Sequence, residues 1–254
     1  MALLKTTKLS IVFGGLRAVS NFDVEIAPGE LVGLIGPNGA GKTTAFNLLT
    51  GVYEPTEGQI EFDGKSIVGL KPYQITQKGI ARTFQNIRLF ADLSVLDNVK
   101  IAYHFHVKYG LLESMLRVGR YHKEEAEIEE KAIKFLEIFQ LADKKDEIAK
   151  NLPYGEQRRL EIARALAAQP KLLLLDEPAA GMNPQETQQL MEMIRWIKNE
   201  FNLTILLIEH DMSLVMGVCE RIYVLDYGSI IAQGTPMEIK NNPRVIEAYL
   251  GEEV

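Results

Sequence analysis

The chain predicts an α/β fold built on a mixed or parallel sheet, and three observations carry that expectation. After residue 152, apolar stretches short enough for strands alternate with longer helical patterns, the rhythm of parallel strands joined by crossover helices. A glycine-rich segment at residues 36–44 falls directly between an apolar strand and a helical stretch. A strand-rich and turn-rich opening, through residue 64, gives way to helical sequence over residues 93–150 before the alternation resumes.

Residues 7–13, 18–26 and 31–35 read as strands, with Pro28-Gly29 turning the chain before the third. Residues 59–62 form a further short strand closed by Asp63-Gly64. In the helical stretch, Ile128, Ala132, Phe135, Leu136 and Phe139 recur near a 3.6-residue period and share one face, with the charged run 123–131 on the solvated side. The later elements are helices over 156–168, 184–199 and 212–219 and strands over 171–175, 204–208 and 221–225. No internal repeat is present, so the chain is one unit and not a tandem pair.

With 254 residues and ordinary globular hydrophobic and charged fractions, the chain can bury a core and should fold throughout. Lys and Arg number 28 against 34 Asp and Glu, and the net charge of −6 disfavours a nucleic-acid partner. A single cysteine, Cys219, cannot form an internal disulfide, and no run approaches the ~18 apolar residues of a membrane span. The N-terminal sequence has no apolar block followed by a small-residue cleavage site. These features point to a cytoplasmic protein whose membrane role, if it has one, comes through a partner. His104, His106 and His122 lack a third ligand at fixed spacing and read as structural, and Cys219 reads as a small buried residue within a helix.

The segment Gly36, Pro37, Asn38, Gly39, Ala40, Gly41, Lys42, Thr43, Thr44 fits the phosphate-binding pattern G-x-x-x-x-G-K-S/T. Gly39 and Gly41 let the backbone turn its N–H groups inward, and the helix that follows aims its positive dipole end at the same place. Lys42 would reach the β- and γ-phosphates of a nucleotide and Thr43 would ligate Mg²⁺. Four successive leucines end in Asp176, which reads as a carboxylate at the carboxyl edge of a buried strand, placed to hold Mg²⁺ through water. Glu177, one residue on, could polarise an attacking water as general base. Alone, the two acids would equally fit an acidic pair opening a helix before Pro178; the glycine-rich loop upstream decides for a site.

The phosphate loop, Gln85 in Arg-Thr-Phe-Gln, the segment Leu152, Pro153, Tyr154, Gly155, Glu156, the Asp176-Glu177 pair and His210 occur in the order and rough spacing of ATP-binding-cassette (ABC) ATPases, which the chain resembles over nearly its whole length. That resemblance implies a P-loop NTPase nucleotide-binding domain with a mixed or parallel sheet core, an antiparallel β subdomain and an α-helical subdomain. Residues 1–91 and 152–240 would form the catalytic core with its β subdomain, 92–151 the helical subdomain, and 241–254 a C-terminal tail. It implies ATP and Mg²⁺ as ligands and a sandwich dimer with a second ABC ATPase subunit. In that dimer Gly155 would present its N–H in trans to the γ-phosphate. It also implies that Gln85 contacts Mg²⁺ and the lytic water, that His210 contacts the γ-phosphate, that Phe13 stacks on adenine, and that the loop Ala180 to Asn183 crosses the interface.

The commoner signature is Leu-Ser-Gly-Gly-Gln. Here Pro153 and Tyr154 replace Ser and the first Gly, and proline supplies neither a hydroxyl nor an N–H, which leaves Gly155 to carry more of the phosphate contact. This variant, the Pro-Ala-Ala-Gly-Met-Asn-Pro run after Glu177 and the Asn-Asn-Pro tail resemble the ATPase subunits of branched-chain amino-acid importers. Such subunits imply two integral membrane permease subunits, a substrate-binding protein met only indirectly, and a peripheral position on the cytoplasmic face of the inner or plasma membrane. The ATPase of a lipopolysaccharide or other exporter is the alternative of very similar core. Non-transport ABC ATPases fit less well, because no sustained heptads and no second cassette are present.

Overall fold

The computed structural model describes residues 1–104 and 107–250. The readings of His106 and of the last four residues of the tail lie outside the described residues. The chain divides into two compact units, one made of Met1–Gln85 with the chain from Lys171 onward, the other of Asn86–Pro170.

The first unit opens with β1 (Leu4–Phe13), β2 (Leu16–Phe22), β3 (Glu25–Ile26), β4 (Leu31–Ile35) and helix α1 (Lys42–Leu49). Then come β5 (Glu57–Phe62), β6 (Lys65–Ser66), α2 (Pro72–Lys78) and β7 (Ile80–Arg82). The second unit carries α3 (Val95–Tyr103), α4 (Leu111–Leu116), α5 (Tyr121–Ile138) and α6 (Tyr154–Ala167). Back in the first unit follow β8 (Leu172–Asp176), α7 (Pro184–Glu200), β9 (Thr204–Ile208), α8 (Met212–Val218), β10 (Arg221–Asp226), β11 (Ser229–Gly234), α9 (Pro236–Lys240) and α10 (Pro243–Leu250).

The central sheet has the order β11-β10-β4-β9-β8-β7, parallel throughout except for the antiparallel edge strand β11. Every residue of β4, β8 and β9 is buried, as continuous apolar runs covered on both faces require. Register pairs Leu34 and Asp176 with Ile208, so β4, β8 and β9 end level with one another. The loops that follow therefore leave the same carboxyl edge, where open α/β sheets place their ligands.

A second, antiparallel sheet runs β2-β1-β5-β6 with β3 on β1. The single strand expected over 18–26 is two, because Thr6 interrupts it: its hydroxyl donates to Phe22 O (2.7 Å) and accepts from Val24 N (2.9 Å), replacing ladder bonds at the break. One apolar core joins both sheets, with Leu9, Phe22 and Phe62 packed alongside Leu34, Leu174 and Leu206 and with Ala45, Phe46, Leu48 and Leu49 of α1.

In the second unit the described residues of the helical stretch form three α-helices and then two short 3-10 turns, Ala142–Lys144 and Ala149–Asn151, before α6. The expected apolar face is inward: Ile128, Ala132, Leu136 and Phe139 are buried, and the Phe135 ring meets Tyr103 edge-on at 5.9 Å. Helix α6 begins two residues earlier than its sequence pattern, with Pro153 as its N-cap. Helix α7 starts where expected because Asn183 accepts from Gln185 N and Glu186 N, Glu186 returns a bond to the Asn183 amide, and Pro184 opens the first turn. Cys219 is buried as expected but does not lie inside a helix; it caps α8 in an extended conformation.

Strands β6, β7 and β11 and helices α2, α9 and α10 add to the sequence expectation. Thr235, Pro236 and Glu238 make a capping box for α9, a signal legible in the sequence. The three residues of β7 are too few to show a period.

Candidate active site

Strand β4 ends at Ile35 and the chain turns at once into the glycine-rich loop. A methyl group on Gly36 would stand 1.9 Å from the Leu225 carbonyl oxygen, so the loop can pass β10 only as glycine. Gly41, with φ of 103°, is left-handed and would bring a Cβ within 2.6 Å of Ala18 O. Helix α1 starts on Gly41 with no side-chain cap, so the first-turn amides of Thr43 and Thr44 face the loop as donors. The Lys42 side chain is buried and its ammonium donates to the carbonyls of Gly36 (2.7 Å) and Pro37 (2.8 Å).

Strand β8 delivers two carboxylates with different surroundings. Asp176 Oδ2 receives Arg82 Nη2 at 2.7 Å, and both side chains are almost fully buried. The same guanidinium donates through Nη1 to Asn47 Oδ1 (2.7 Å) and lies between the rings of Phe46 and Phe84, with centroids at 5.4 and 5.0 Å. Arg82 thus ties the end of β8 to α1. Glu177 sits in the left-handed region at φ of 45°, and its amide donates to Ile208 O (2.9 Å). One of its carboxylate oxygens lies 2.6 Å from His210 Nε2 and the other accepts from Gln85 Nε2 at 2.6 Å. Gln85, Glu177 and His210, separated by 92 and 33 residues in the chain, are therefore brought together.

Glu209, just before His210, is buried and accepts from Ala179 N (2.7 Å), His210 N (2.9 Å) and Asp211 N (3.3 Å). Burial pushes its carboxyl above the usual range, against the three amides that pull it down, and the neighbouring Glu177 charge pushes the same way as burial. Arg82 and Glu209 are the site residues that sequence reasoning missed. Their only local signal is a charged residue inside or ending an apolar strand.

Phe13 ends β1 partly exposed, with its ring edge-on to Tyr53 at 5.2 Å. Gly155 belongs to the second unit, in the first turn of α6, and Pro153, the N-cap, provides no side-chain cap there. His104 Nε2 lies 3.3 Å from Glu125 and His122 meets the Tyr121 ring. No group of three or more His, Cys, Asp or Glu able to hold a metal occurs among the described residues.

The loop fits a nucleotide's phosphates. An uncapped helix start, a glycine turn that admits no side chain, and a buried ammonium resting on two carbonyls form a cradle for anionic oxygens. The donor set also fits Mg²⁺, which binds through one or two protein oxygens plus phosphates and water and needs no cage. No helix among the described residues is long and apolar enough to cross a membrane.

Comparison with known proteins agrees with this architecture. The sequence profile of the family "ABC transporter" matches residues 19–180, and that of "Branched-chain amino acid ATP-binding cassette transporter" matches 229–254. The chain is 50% identical over 250 residues, 98% of each protein, to the high-affinity branched-chain amino acid transport ATP-binding protein LivG of Escherichia coli. It is 35% identical, over 100% of its length and 99% of the relative, to the lipopolysaccharide export system ATP-binding protein LptB of Haemophilus influenzae. Among solved structures, the ADP conformation of MJ1267, an ATP-binding cassette of an ABC transporter, superposes with a TM-score of 0.85 at 32% identity, covering 99% of each chain. A nucleotide-binding fold shared over the full length, with family profiles matched at both ends, leads to one conclusion: the chain belongs to the ABC transporter family and is an ATPase of that family.

Proposed function

We propose that this chain energises a membrane importer of branched-chain amino acids, as one of two ATPase subunits on the cytoplasmic face of two integral membrane permeases fed by a substrate-binding protein. The observation that carries the reading is the 50% identity to LivG over 98% of both chains, reinforced by the branched-chain profile at the C-terminus. The exporter alternative has weaker support, since LptB is 35% identical.

In this reading Gly36, Pro37, Asn38, Gly39, Ala40, Gly41, Lys42, Thr43 and Thr44 hold the phosphates of ATP, and Lys42 exchanges its two loop carbonyls for phosphate oxygens. Mg²⁺, held by the Thr43 hydroxyl and the Gln85 amide oxygen and by Asp176 through water, would draw charge off the phosphates. Glu177 polarises the attacking water, while His210 and Gln85 fix the direction of its carboxylate. Phe13 stacks on adenine, and Gly155 of the opposite subunit completes the site. Residues 92–151 serve as the helical subdomain that moves with Gln85.

Uptake of labelled leucine, isoleucine and valine in a deletion strain tests the cargo. Uptake should fall and return with the wild-type gene but not with Glu177→Gln. Unchanged uptake in a strain lacking any second ATPase of this type would defeat the amino-acid assignment.

A further inference from the structure

The turn that carries Gly155 also carries an acid. Where the commoner signature has Gln, this chain has Glu156, the residue after Gly155, in the first turn of α6. A carboxylate there suits the helix, whose positive dipole end favours negative charge. It does not suit an anion arriving at Gly155, because the acid competes for the same positive end and repels the ligand. Helix stability and phosphate contact are therefore in conflict at one position.

Lys144 resolves the conflict. Its ammonium donates to both carboxylate oxygens of Glu156, at 2.8 Å to Oε1 and 2.7 Å to Oε2. The two side chains are 29% and 18% exposed, so their charges are less screened by solvent than those of a free surface pair. Arg159 adds a second cation, 3.7 Å from Glu156 Oε1. Asp143 and Glu147 also bear on the Lys144 charge, but its two short bonds go to Glu156.

The ammonium is delivered by a well-tied piece of chain. Lys144 ends the 3-10 turn Ala142–Lys144, with its amide bonded to Leu141 O (3.1 Å) and its carbonyl accepting from Glu147 N (2.9 Å). The carbonyl of Lys145, next in the chain, accepts from Leu96 N of α3 (2.9 Å). The other neighbour of Gly155 is held in a similar way. The Tyr154 hydroxyl accepts from Arg158 Nη2 (3.2 Å), and Arg158 pairs with Glu161 at 2.7 Å, both fully buried. Arg88 N donates to the other Glu161 oxygen (3.1 Å). Both side chains flanking Gly155 are thus bound by cations of their own unit. A partly exposed pair such as Lys144–Glu156 adds little to folding, so its main consequence is electrostatic: the acid beside Gly155 is compensated.

We propose that Lys144 is a positioning residue for the γ-phosphate contact of Gly155: it pins Glu156 and cancels its charge, so that the phosphate brought by the opposite subunit meets the Gly155 amide without a bare carboxylate beside it. The inference rests on the reading of Gly155 as the contact made in trans.

The test is ATP-driven dimerisation of the purified full-length chain, followed by size-exclusion chromatography against ATP concentration in a Glu177→Gln parent, where slow turnover preserves the dimer. Lys144→Met should raise the ATP needed for half-maximal dimer about tenfold, the weight of one partly screened charge near an anion. Glu156→Gln should dimerise at least as readily as its parent. Lys144→Met combined with Glu156→Gln should match Glu156→Gln alone to within about twofold, because the charge to be cancelled is gone. Lys144→Arg keeps the cation and should dimerise as the parent does. Nucleotide binding by the dilute, undimerised subunit should be the same in every variant, since the phosphate loop belongs to the other unit.

Gly155→Asp checks the underlying reading, which requires it to block dimerisation. If the parent does not dimerise, or Gly155→Asp dimerises normally, that reading fails and takes the proposal with it. If Gly155→Asp blocks dimerisation while Lys144→Met behaves as its parent, the reading stands and the proposal is overturned. It is overturned equally if Lys144→Met stays impaired when Glu156→Gln is added, as a residue serving only the local fold would.

Discussion

His210 Nε2 meets Glu177 Oε1 at 2.6 Å, while the other Glu177 oxygen is taken by Gln85 at the same distance. The carboxylate is gripped from two loops that leave different strands, so its plane is fixed by residues outside its own segment. Its backbone, in the left-handed region at φ of 45°, is held by the amide bond to Ile208 O. Strain of this kind at a non-glycine residue persists only where the surroundings over-determine it.

Replacing Glu177 by Gln keeps the shape but removes the basic oxygen. ATP should still bind, hydrolysis should slow by ~10²–10⁴-fold, and an ATP-bound dimer should accumulate on size-exclusion chromatography. Near wild-type turnover would show that Glu177 is not the base.

Lys42→Ala removes the one ammonium buried against the loop carbonyls of Gly36 and Pro37. MgATP affinity measured by titration should drop and turnover should vanish. A variant that binds and hydrolyses normally would dissociate this loop from phosphate binding.

Arg82→Met leaves the Asp176 carboxylate buried without its cation, since Arg82 is its ion-pair partner. Removing one member of a buried pair costs about 3–5 kcal/mol, and chemical denaturation should register a loss of that order. Asp176→Asn in the Arg82→Met background should recover part of it, because the uncompensated charge is then gone.

Glu209 offers a pH signature. Its carboxyl is raised in the folded protein, so the native state holds that proton over a range where the unfolded chain has released it. The group's contribution to stability is therefore greatest below the ordinary carboxylate value and declines as pH rises through that value towards the raised one. Subtracting the stability profile of Glu209→Gln from that of wild type should isolate this decline. In the same variant, turnover should fall more than nucleotide affinity, because the amide cannot accept from Ala179 N while keeping His210 N and Asp211 N. A flat difference profile would exclude the raised carboxyl.

The phosphate loop was readable because its letters, the strand before and the helix after are all contiguous. Gln85, Glu177 and His210 were grouped only through family likeness, since nothing local says that three loops will meet. Arg82 and Glu209 escaped because an isolated charge in an apolar strand does not reveal whether it is buried and paired. The break between β2 and β3 depends on the Thr6 hydroxyl, a partner from another strand.

The second unit is the connection between β7 and β8, which are neighbours and parallel. Parallel neighbours cannot be joined by a hairpin, because the chain must return from the carboxyl edge to the amino edge before the next strand begins. A shortened version of this protein would therefore need a crossover of at least about ten to twelve residues in place of the helices. A tighter splice would force β8 to enter reversed and carry Asp176 and Glu177 to the edge away from Lys42. What a graft at this position must preserve is the direction of β8.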